Sequence, residues 1–165
     1  MHTLRACGEA DIPVILEIVN AAAEAYRGVI PADCFHDPYM GADELRRDIR
    51  AGVSFLGCEI DGKLLGVMGL QPVLDVDLIR HAYVQPDTQG RGVGAALIAA
   101  LMRGSTRPML VGTWSDARWA IRFYERNGFT LESAARAQAL LKKYWSIPER
   151  QAAMSVVLSR SGARD

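Results

Sequence analysis

The segment from residue 89 to 94, QGRGVG, lies between a run typical of a β-strand, residues 76–84, and an apolar run typical of a helix, residues 95–103. Glycines let the backbone approach a ligand closely, and the first N–H groups of a helix have no intrahelical partner, so this turn can bind phosphate. A Walker A loop would need GK[ST], and a dinucleotide-binding turn would usually follow the first strand of a parallel sheet. The turn therefore predicts an α/β protein with one main-chain anion site, and ATP and NAD become weaker interpretations.

Periodicity and turn residues predict the other elements. Strands are expected at residues 2–7, 53–60, 64–71, 108–113, 129–133 and 154–158, and helices at residues 12–26, 43–51 and 116–126, with a helical turn or short helix at 137–144. Asp61-Gly62 is a strong hairpin signal between two of these strands, and residues 27–41 predict an ordered loop. With 165 residues, the chain predicts a single domain over residues 1–158 and a flexible tail over 159–165.

Charge and cysteine content exclude several classes of function. Lys plus Arg and Asp plus Glu both total 19, so no net field attracts nucleic acid or an anionic membrane. The longest apolar run is far shorter than the roughly 20 residues that span a bilayer, and the start lacks a signal-peptide pattern. Cys7, Cys34 and Cys58 have no CxxC spacing, which argues against a disulfide framework or a metal site. We predict a cytoplasmic protein without nucleic-acid or membrane partners.

Two stretches together carry a specific resemblance to a known family. They are Val84-x-Pro86 followed by Gln89-x-x-Gly92-x-Gly94, and Ala120-x-x-Phe123-Tyr124-x-x-x-Gly128-Phe129. The first resembles the pyrophosphate loop of the GNAT superfamily of N-acetyltransferases, and the second is similar to that family's downstream helix and strand. The inferred order of elements over residues 1–158 agrees. The resemblance implies an α/β (α+β) GNAT-like fold, whose mixed, mostly antiparallel sheet of six to seven strands is splayed between strands 4 and 5 and flanked by about four helices.

The resemblance also implies acetyl-CoA as co-substrate, bound between those two strands. The pantetheine arm is expected to pair with the backbone near Tyr83 and Val84. The pyrophosphate is expected on the turn formed by Gln89, Gly90, Arg91, Gly92, Val93, Gly94 and Ala95. One departure is Ala117, where many members have an asparagine that contacts the cofactor arm. This departure predicts lower affinity, unless a neighbour such as Ser115 substitutes.

Tyr124 is the candidate general acid. Amide formation from a thioester expels a thiolate, and a phenol with a pKa near 10 remains protonated at neutral pH and can supply the proton. The motif match favours this role over a core tyrosine whose hydroxyl is bonded internally.

A general base is expected because an alkyl ammonium, with a pKa of about 10.4, must lose a proton before it attacks. Strand alternation places Asp75, Asp77, Ile79, His81 and Tyr83 on one face, which we expect to be the site face. Imidazole is the side chain best suited to exchange protons near neutral pH, so His81 is the proposed base, directly or through water. Asp75, Asp77 and Glu59 are rivals, because family members place this group variably.

The acceptor site is expected, from the resemblance, between the loop after the first helix and the C-terminal strands. Its candidate residues are Tyr26, Arg27, Tyr39, Asp77 and Trp145. For each aromatic, ordinary packing stays open as an alternative. The predicted function is acetyl transfer from acetyl-CoA to a primary amine of a small molecule, amino acid or peptide by direct attack in a ternary complex, by a possible homodimer. The alternatives are a non-catalytic acyl-CoA sensor and transfer to a protein lysine.

Overall fold

The computed structural model describes residues 1–163 as one seven-stranded sheet flanked by six α-helices. The strands are β1 His2–Ala6, β2 Ser54–Ile60, β3 Lys63–Val73, β4 Val76–Val84, β5 Met109–Trp114, β6 Thr130–Leu131 and β7 Ser155–Arg160. The helices are α1 Ile12–Ala23, α2 Ala42–Arg50, α3 Val93–Gly104, α4 Arg118–Arg126, α5 Ala134–Tyr144 and α6 Glu149–Ala153. The predicted fold class is confirmed.

The sheet has the order β1-β2-β3-β4-β5-β7-β6, and every neighbouring pair is antiparallel except β4 with β5. The β2–β3 hairpin turns at Asp61 and Gly62, which both have positive φ, as the Asp-Gly signal predicts. Parallel pairing of β4 and β5 requires a crossover, and the glycine turn with α3 supplies it. The glycine turn is therefore held between two central strands.

β4 and β5 separate after a short ladder. They pair only from Asp77 with Met109 to Ile79 with Val111. Beyond that point β5 continues beside β7, whereas β4 continues to Val84 with β3 alone as its partner. The edge of β4 that faces β5 is thus unpaired over its last residues, and the sheet opens there as a V, as the family resemblance implies.

Three apolar clusters attach the helices to the sheet. On one face, α1 and α2 pack on β2 and β3 through Ile15, Ile18, Leu45, Phe55 and Val67, among others. On the opposite face, α3 and α4 pack on the central strands, and the largest members are Met68, Ile79, Leu97, Ile98, Met109, Tyr124, Phe129 and Leu158. The third cluster joins α5 to β4, β5 and β7. Helices therefore cover both sides of the sheet and leave the V open between them.

The C-terminal third departs most from the sequence prediction. Residues 134–144 form a full helix that starts one turn earlier than expected, because the Ser133 hydroxyl accepts the N–H of Arg136 and caps it. β6 is only two residues long, and α6 was not predicted. β7 includes Ser159 and Arg160, the first residues of the predicted tail, which pair with β5 and β6. Residues 164 and 165 of that tail lie outside the described residues. Across residues 1–163, no helix combines the length and apolar character required to cross a membrane.

Candidate active site

Two cavities meet where β4 and β5 part. The first, which we call the turn cavity, has a volume of about 590 Å³ and lies against the glycine turn, α3 and α4. The second, which we call the polar cleft, has a volume of about 460 Å³ and lies against α2, the loop after α1 and the segment after α5. Both are lined by Tyr26, Ile79, His81, Tyr83, Gly112 and Thr113. The two cavities are therefore adjacent along these six residues.

The glycine turn presents main-chain donors to the turn cavity. Gly90 and Gly92 have φ of 84° and 77°, the left-handed region that favours glycine, and Gly92 is the N-cap of α3. The N–H groups of Val93, Gly94 and Ala95 lie in the first helical turn, where they have no intrahelical partner. These donors and the positive end of the helix form an anion site that requires no basic side chain.

The structure brings together most of the residues predicted to bind the cofactor. Those lining the turn cavity are Tyr83, Val84, Gln89, Gly90, Gly92, Val93, Gly94 and Ala95. Arg91 is exposed and does not line it. Ala117 does not line it either, and is fully buried in a cluster with Ile30 and Trp114.

Tyr124 projects from α4 into the turn cavity and is 5% exposed. Its ring packs edge-on against Phe123 and Phe129, with centroid distances of 5.2 and 5.8 Å. Within residues 1–163, no protein group hydrogen-bonds its hydroxyl, although the hydroxyl retains some access to the cavity. Burial raises the pKa of Tyr124, and Tyr26 contributes to the same effect. The phenol is therefore protonated and available to a ligand.

His81 interrupts the regular alternation of β4. Its φ is +54°, and the β3–β4 register shifts opposite it, between Val67 and Gly69. Ile79, His81 and Tyr83 of the predicted odd-numbered face line both cavities, whereas Asp75 and Asp77 line neither. Regular alternation ends at this bulge, because Ala82 and Val84 beyond it pack in the same cluster as Ile79. A left-handed non-glycine residue costs about 1–3 kcal/mol and persists only where its surroundings hold it, commonly at functional sites.

The imidazole of His81 is held by two neighbours. Its Nε2 lies 2.6 Å from Oδ2 of Asp48 on α2, and its ring stacks on Phe55 with 6.1 Å between centroids and 22° between planes. Burial would raise the pKa of Asp48, but the bond from His81 and the charge of Arg80, 3.6 Å from the same oxygen, outweigh it and lower that pKa. The site thus contains a histidine–carboxylate pair at the junction of the two cavities.

The sequence analysis did not find Asp48. The available signal was its position three residues after Leu45 and one before Ile49, which places a carboxylate on the apolar stripe of a short helix. The other proposed bases lie elsewhere. Asp75 accepts a hydrogen bond from Tyr144, Asp77 accepts one from Ser105, and Glu59 accepts one from Arg5. None of these three carboxylates lines either cavity.

The predicted acceptor residues divide into two groups. Tyr26, Tyr39 and Trp145 line the polar cleft, and Tyr26 also lines the turn cavity. Burial, with a contribution from Tyr39, raises the pKa of Tyr26 to about 12. Arg27 is instead exposed and pairs with Glu24 and Asp37 on the outer surface. Asp77, buried beside Ser105 and Arg107, is also outside the cleft.

The polar cleft contains charged side chains of both signs. Glu44, Arg47 and Asp48 come from α2 and Arg80 from β4. At its outer rim, Arg150 of α6 forms two hydrogen bonds of 2.6 and 2.9 Å with Asp33, and this ion pair links the segment after α5 to the loop after α1. Among the described residues there is no group of three or more His, Cys, Asp or Glu that could hold a metal ion.

The chain resembles known acetyltransferases. The model of the acetyltransferase (GNAT) domain family matches residues 51–131, which include the glycine turn and Tyr124. Among solved structures, the PaiA N-acetyltransferase of Thermoplasma acidophilum, in complex with coenzyme A, aligns over 98% of this chain and 99% of its own at a TM-score of 0.72 and 14% identity. Comparison with curated proteins by sequence gives no significant match.

Two further structures share the fold. The ribosomal-protein-S18-alanine N-acetyltransferase of Escherichia coli aligns over 100% of this chain and 97% of its own at a TM-score of 0.68 and 18% identity. The N-acetylglutamate synthase of Neisseria gonorrhoeae, complexed with coenzyme A and L-arginine, aligns over 99% of this chain but 34% of its own at a TM-score of 0.62 and 23% identity. The family model thus covers 81 of the 165 residues, just under half of the chain, and the solved acetyltransferases share the fold over nearly its whole length.

Proposed function

We propose that the protein transfers the acetyl group of acetyl-CoA to a primary amine of a small molecule, amino acid or peptide by direct attack in a ternary complex. The observation that carries this proposal is the meeting of two cavities of different chemistry at the open edge of β4. Direct attack requires both substrates to be bound at once, and separate cavities with one shared wall allow that.

The residues of the turn cavity fit acetyl-CoA. The N–H groups at the start of α3 suit a diphosphate, and the unpaired main chain of β4 near Tyr83 and Val84 suits the amides of a pantetheine arm. The thin arm also needs small neighbours, which Gly94 and Ala120 provide. The co-substrate supplies the activated acetyl thioester. The PaiA neighbour, solved with coenzyme A, supports this assignment.

Tyr124 acts as the general acid in this proposal. Its hydroxyl is protonated because burial raises its pKa, and no protein group in residues 1–163 occupies it. It can therefore give its proton to the sulfur as the thiolate leaves, and then recover one from solvent. The buried ring contacts of Tyr124 hold this hydroxyl in the cavity.

His81 acts as the general base, directly or through water. Deprotonating an ammonium of pKa ~10.4 at neutral pH costs roughly 4–5 kcal/mol, so a base beside the acceptor contributes substantially. His81 lines both cavities, as this role requires, whereas Asp75, Asp77 and Glu59 line neither.

The acceptor is a small amine in this proposal. Glu44 and Asp48 can face an ammonium, and Arg47 and Arg80 can face a carboxylate, so the cleft suits polar or zwitterionic amines. The named acceptors of the two neighbours, a ribosomal-protein alanine and glutamate, differ from each other and do not select one here. The free thiols Cys7, Cys34 and Cys58 are consistent with a proposed cytoplasmic location.

The alternative is a non-catalytic acyl-CoA sensor. Its support is Ala117, which stands where many family members have an asparagine and which does not line the turn cavity.

A thiol-release assay tests the proposal. Acetyl-CoA and a panel of amines, amino acids and short peptides would be incubated with the protein, and free CoA would be measured with a thiol reagent. We expect acceptor-dependent release of CoA, together with saturable binding of acetyl-CoA by calorimetry. Binding without release for any acceptor would support the sensor instead. Absence of both would refute the proposal.

A further inference from the structure

Asp48 makes the shortest side-chain contact of His81. Its carboxylate is 21% exposed, lines the polar cleft and places Oδ2 2.6 Å from Nε2 of the imidazole. An ionised carboxylate only accepts hydrogen bonds, so Nε2 carries the hydrogen. In a neutral imidazole the other nitrogen, Nδ1, then carries the lone pair. The contact therefore selects one tautomer of His81.

The orientation of His81 is fixed from three independent directions. The left-handed backbone aims the side chain, Phe55 stacks on one ring face, and Asp48 bonds to the ring edge. Backbone strain of this kind persists only where the surrounding structure holds it, and it clusters at functional sites. The strain is maintained by contacts on two other elements, β2 and α2.

The carboxylate of Asp48 is itself held in place and charged. Arg80 lies 3.6 Å from its Oδ2, and Arg80 is in turn anchored by a 2.8 Å hydrogen bond to Oε1 of Gln71. Arg47, the residue before Asp48 on α2, also lines the cleft. The combined effect of His81, Arg80 and Arg47 lowers the pKa of Asp48 despite burial, so it is ionised at neutral pH.

We propose that Asp48 is the positioning residue of His81. It accepts the Nε2–H bond, leaves Nδ1 free to take a proton from the acceptor ammonium directly or through one water, and stabilises the imidazolium that results. In this step an N–H bond of the ammonium breaks, its electron pair stays on the amine nitrogen, and an N–H bond forms at Nδ1. The proton leaves to solvent after transfer. This inference rests on the proposed function, because it assigns Asp48 a part in the same reaction.

The tautomer of His81 can be measured without any turnover. The chain contains three histidines, His2, His36 and His81, so ¹⁵N–¹H correlation spectra of the imidazoles are simple, and a His81→Ala sample identifies the His81 signals. We expect the Nε2–H form in the native protein. In Asp48→Asn, the amide can donate to Nε2, so we expect the hydrogen to move to Nδ1.

The kinetic consequence separates positioning from folding or binding. Asp48→Asn should lower kcat about 10²–10⁴-fold while KM for acetyl-CoA changes less than about threefold, because the turn cavity is untouched. Asp43→Asn is the matched control. It makes the same change in the first turn of the same helix, where the side chain is exposed and lines neither cavity, and it should leave kcat and the His81 spectrum unchanged.

The two measurements distinguish this inference from the proposed function. A native Nδ1–H tautomer, or an Asp48→Asn variant with native kcat, would overturn the positioning role even in an active enzyme. If the native protein transfers acetyl to no amine, the proposed function fails, and an unchanged tautomer in Asp48→Asn would then also refute the orienting contact. An Nε2–H native form that is lost together with kcat supports the inference.

Discussion

The turn cavity and the polar cleft share a wall but are built in different ways. The turn cavity is formed mainly by the region from β4 to α4, which contributes main-chain N–H groups, glycines and apolar or aromatic side chains, with Ala22, Ala25, Tyr26 and Met68 added from earlier in the chain. The polar cleft uses charged and aromatic side chains from α2, the loop after α1, β4 and the segment after α5. Main-chain donors are fixed once the helix forms, whereas the cleft depends on contacts between distant segments. The turn cavity is thus suited to a ligand that stays the same during evolution, and the polar cleft is suited to a ligand that can change.

The largest expected effect tests whether chemistry belongs to the turn cavity. Among the tyrosines that line the turn cavity, Tyr124 alone does not also line the cleft. Tyr124→Phe removes its hydroxyl, so kcat should fall about 10²–10⁴-fold with little change in the KM of either substrate. Steady-state kinetics and calorimetry with acetyl-CoA would measure both. Tyr144→Phe is the control, because its hydroxyl bonds to Asp75 away from both cavities. Native turnover in Tyr124→Phe would exclude the acid role.

A smaller effect tests the main-chain site itself. Gly92 has φ of +77° at the N-cap of α3, so Gly92→Ala forces a Cβ into the left-handed region at a cost of about 1–2 kcal/mol and displaces the adjacent N–H groups. The Kd for acetyl-CoA should rise about tenfold, since 1.4 kcal/mol corresponds to a factor of ten. Gly104→Ala, at the other end of α3 in open space, should bind normally. Equal affinities for the two variants would contradict a main-chain site.

A weaker effect should be confined to the cleft. Arg150→Ala removes the ion pair with Asp33 that links the segment after α5 to the loop after α1. Both side chains are more than half exposed, and solvent screens such a pair, so KM for the acceptor should rise no more than about fivefold. The Kd for acetyl-CoA should not change. Arg136→Ala, which removes an exposed arginine paired with Glu132, is the control. A change in acetyl-CoA affinity would show that the two cavities are coupled.

The smallest effect lies outside both cavities and concerns stability at acid pH. The hydrogen bond from Arg5, helped by the Gly8 N–H, lowers the pKa of Asp11 from 3.8 to about 2. The lowered pKa means that this carboxylate stabilises the fold above about pH 4 and that the contribution is lost as the pH falls towards 2. Asp11→Asn should therefore lower the free energy of unfolding by about 1 kcal/mol or less at pH 6, and the difference should vanish near pH 2.

Urea unfolding at several pH values would measure the effect of Asp11→Asn. Asp116→Asn is the control, since Asp116 is exposed and forms no ion pair within residues 1–163. Activity at neutral pH should be native for both variants. A stability difference for Asp11→Asn that stays constant down to pH 2 would contradict the linkage.

The sequence predicts the turn cavity better than it predicts the polar cleft. The glycine turn and the helix of Tyr124 are local features that the sequence predicts, and the parting of β4 and β5 is expected only from the family resemblance that these two motifs carry. Asp48 is different. It meets His81 across 33 positions of chain, through a helix on another layer, and no spacing rule joins the two. The left-handed bulge at His81 is equally invisible to an alternation rule, which assumes regular strands.

The C-terminal segments show another limit of sequence reasoning. α6 is only five residues long, and β6 only two, so neither is long enough for a hydrophobic period to repeat. Their placement is decided by packing on β7 and α5 rather than by their own composition. Tertiary contacts also decide the position of Arg27. Its guanidinium pairs with two surface carboxylates and therefore does not face the cleft.

The free edge of β4 has a consequence for the folding equilibrium of the whole chain. Because β4 and β5 stop pairing near the centre of the sheet, the backbone groups on the free edge of β4 have no hydrogen-bond partner in β5. A ligand whose amides bind along this edge replaces the missing hydrogen bonds. Such a ligand acts as a non-covalent extra strand. At a concentration one hundred times its Kd, it would add about 2.7 kcal/mol to the native state, so the melting temperature becomes a readout of co-substrate supply.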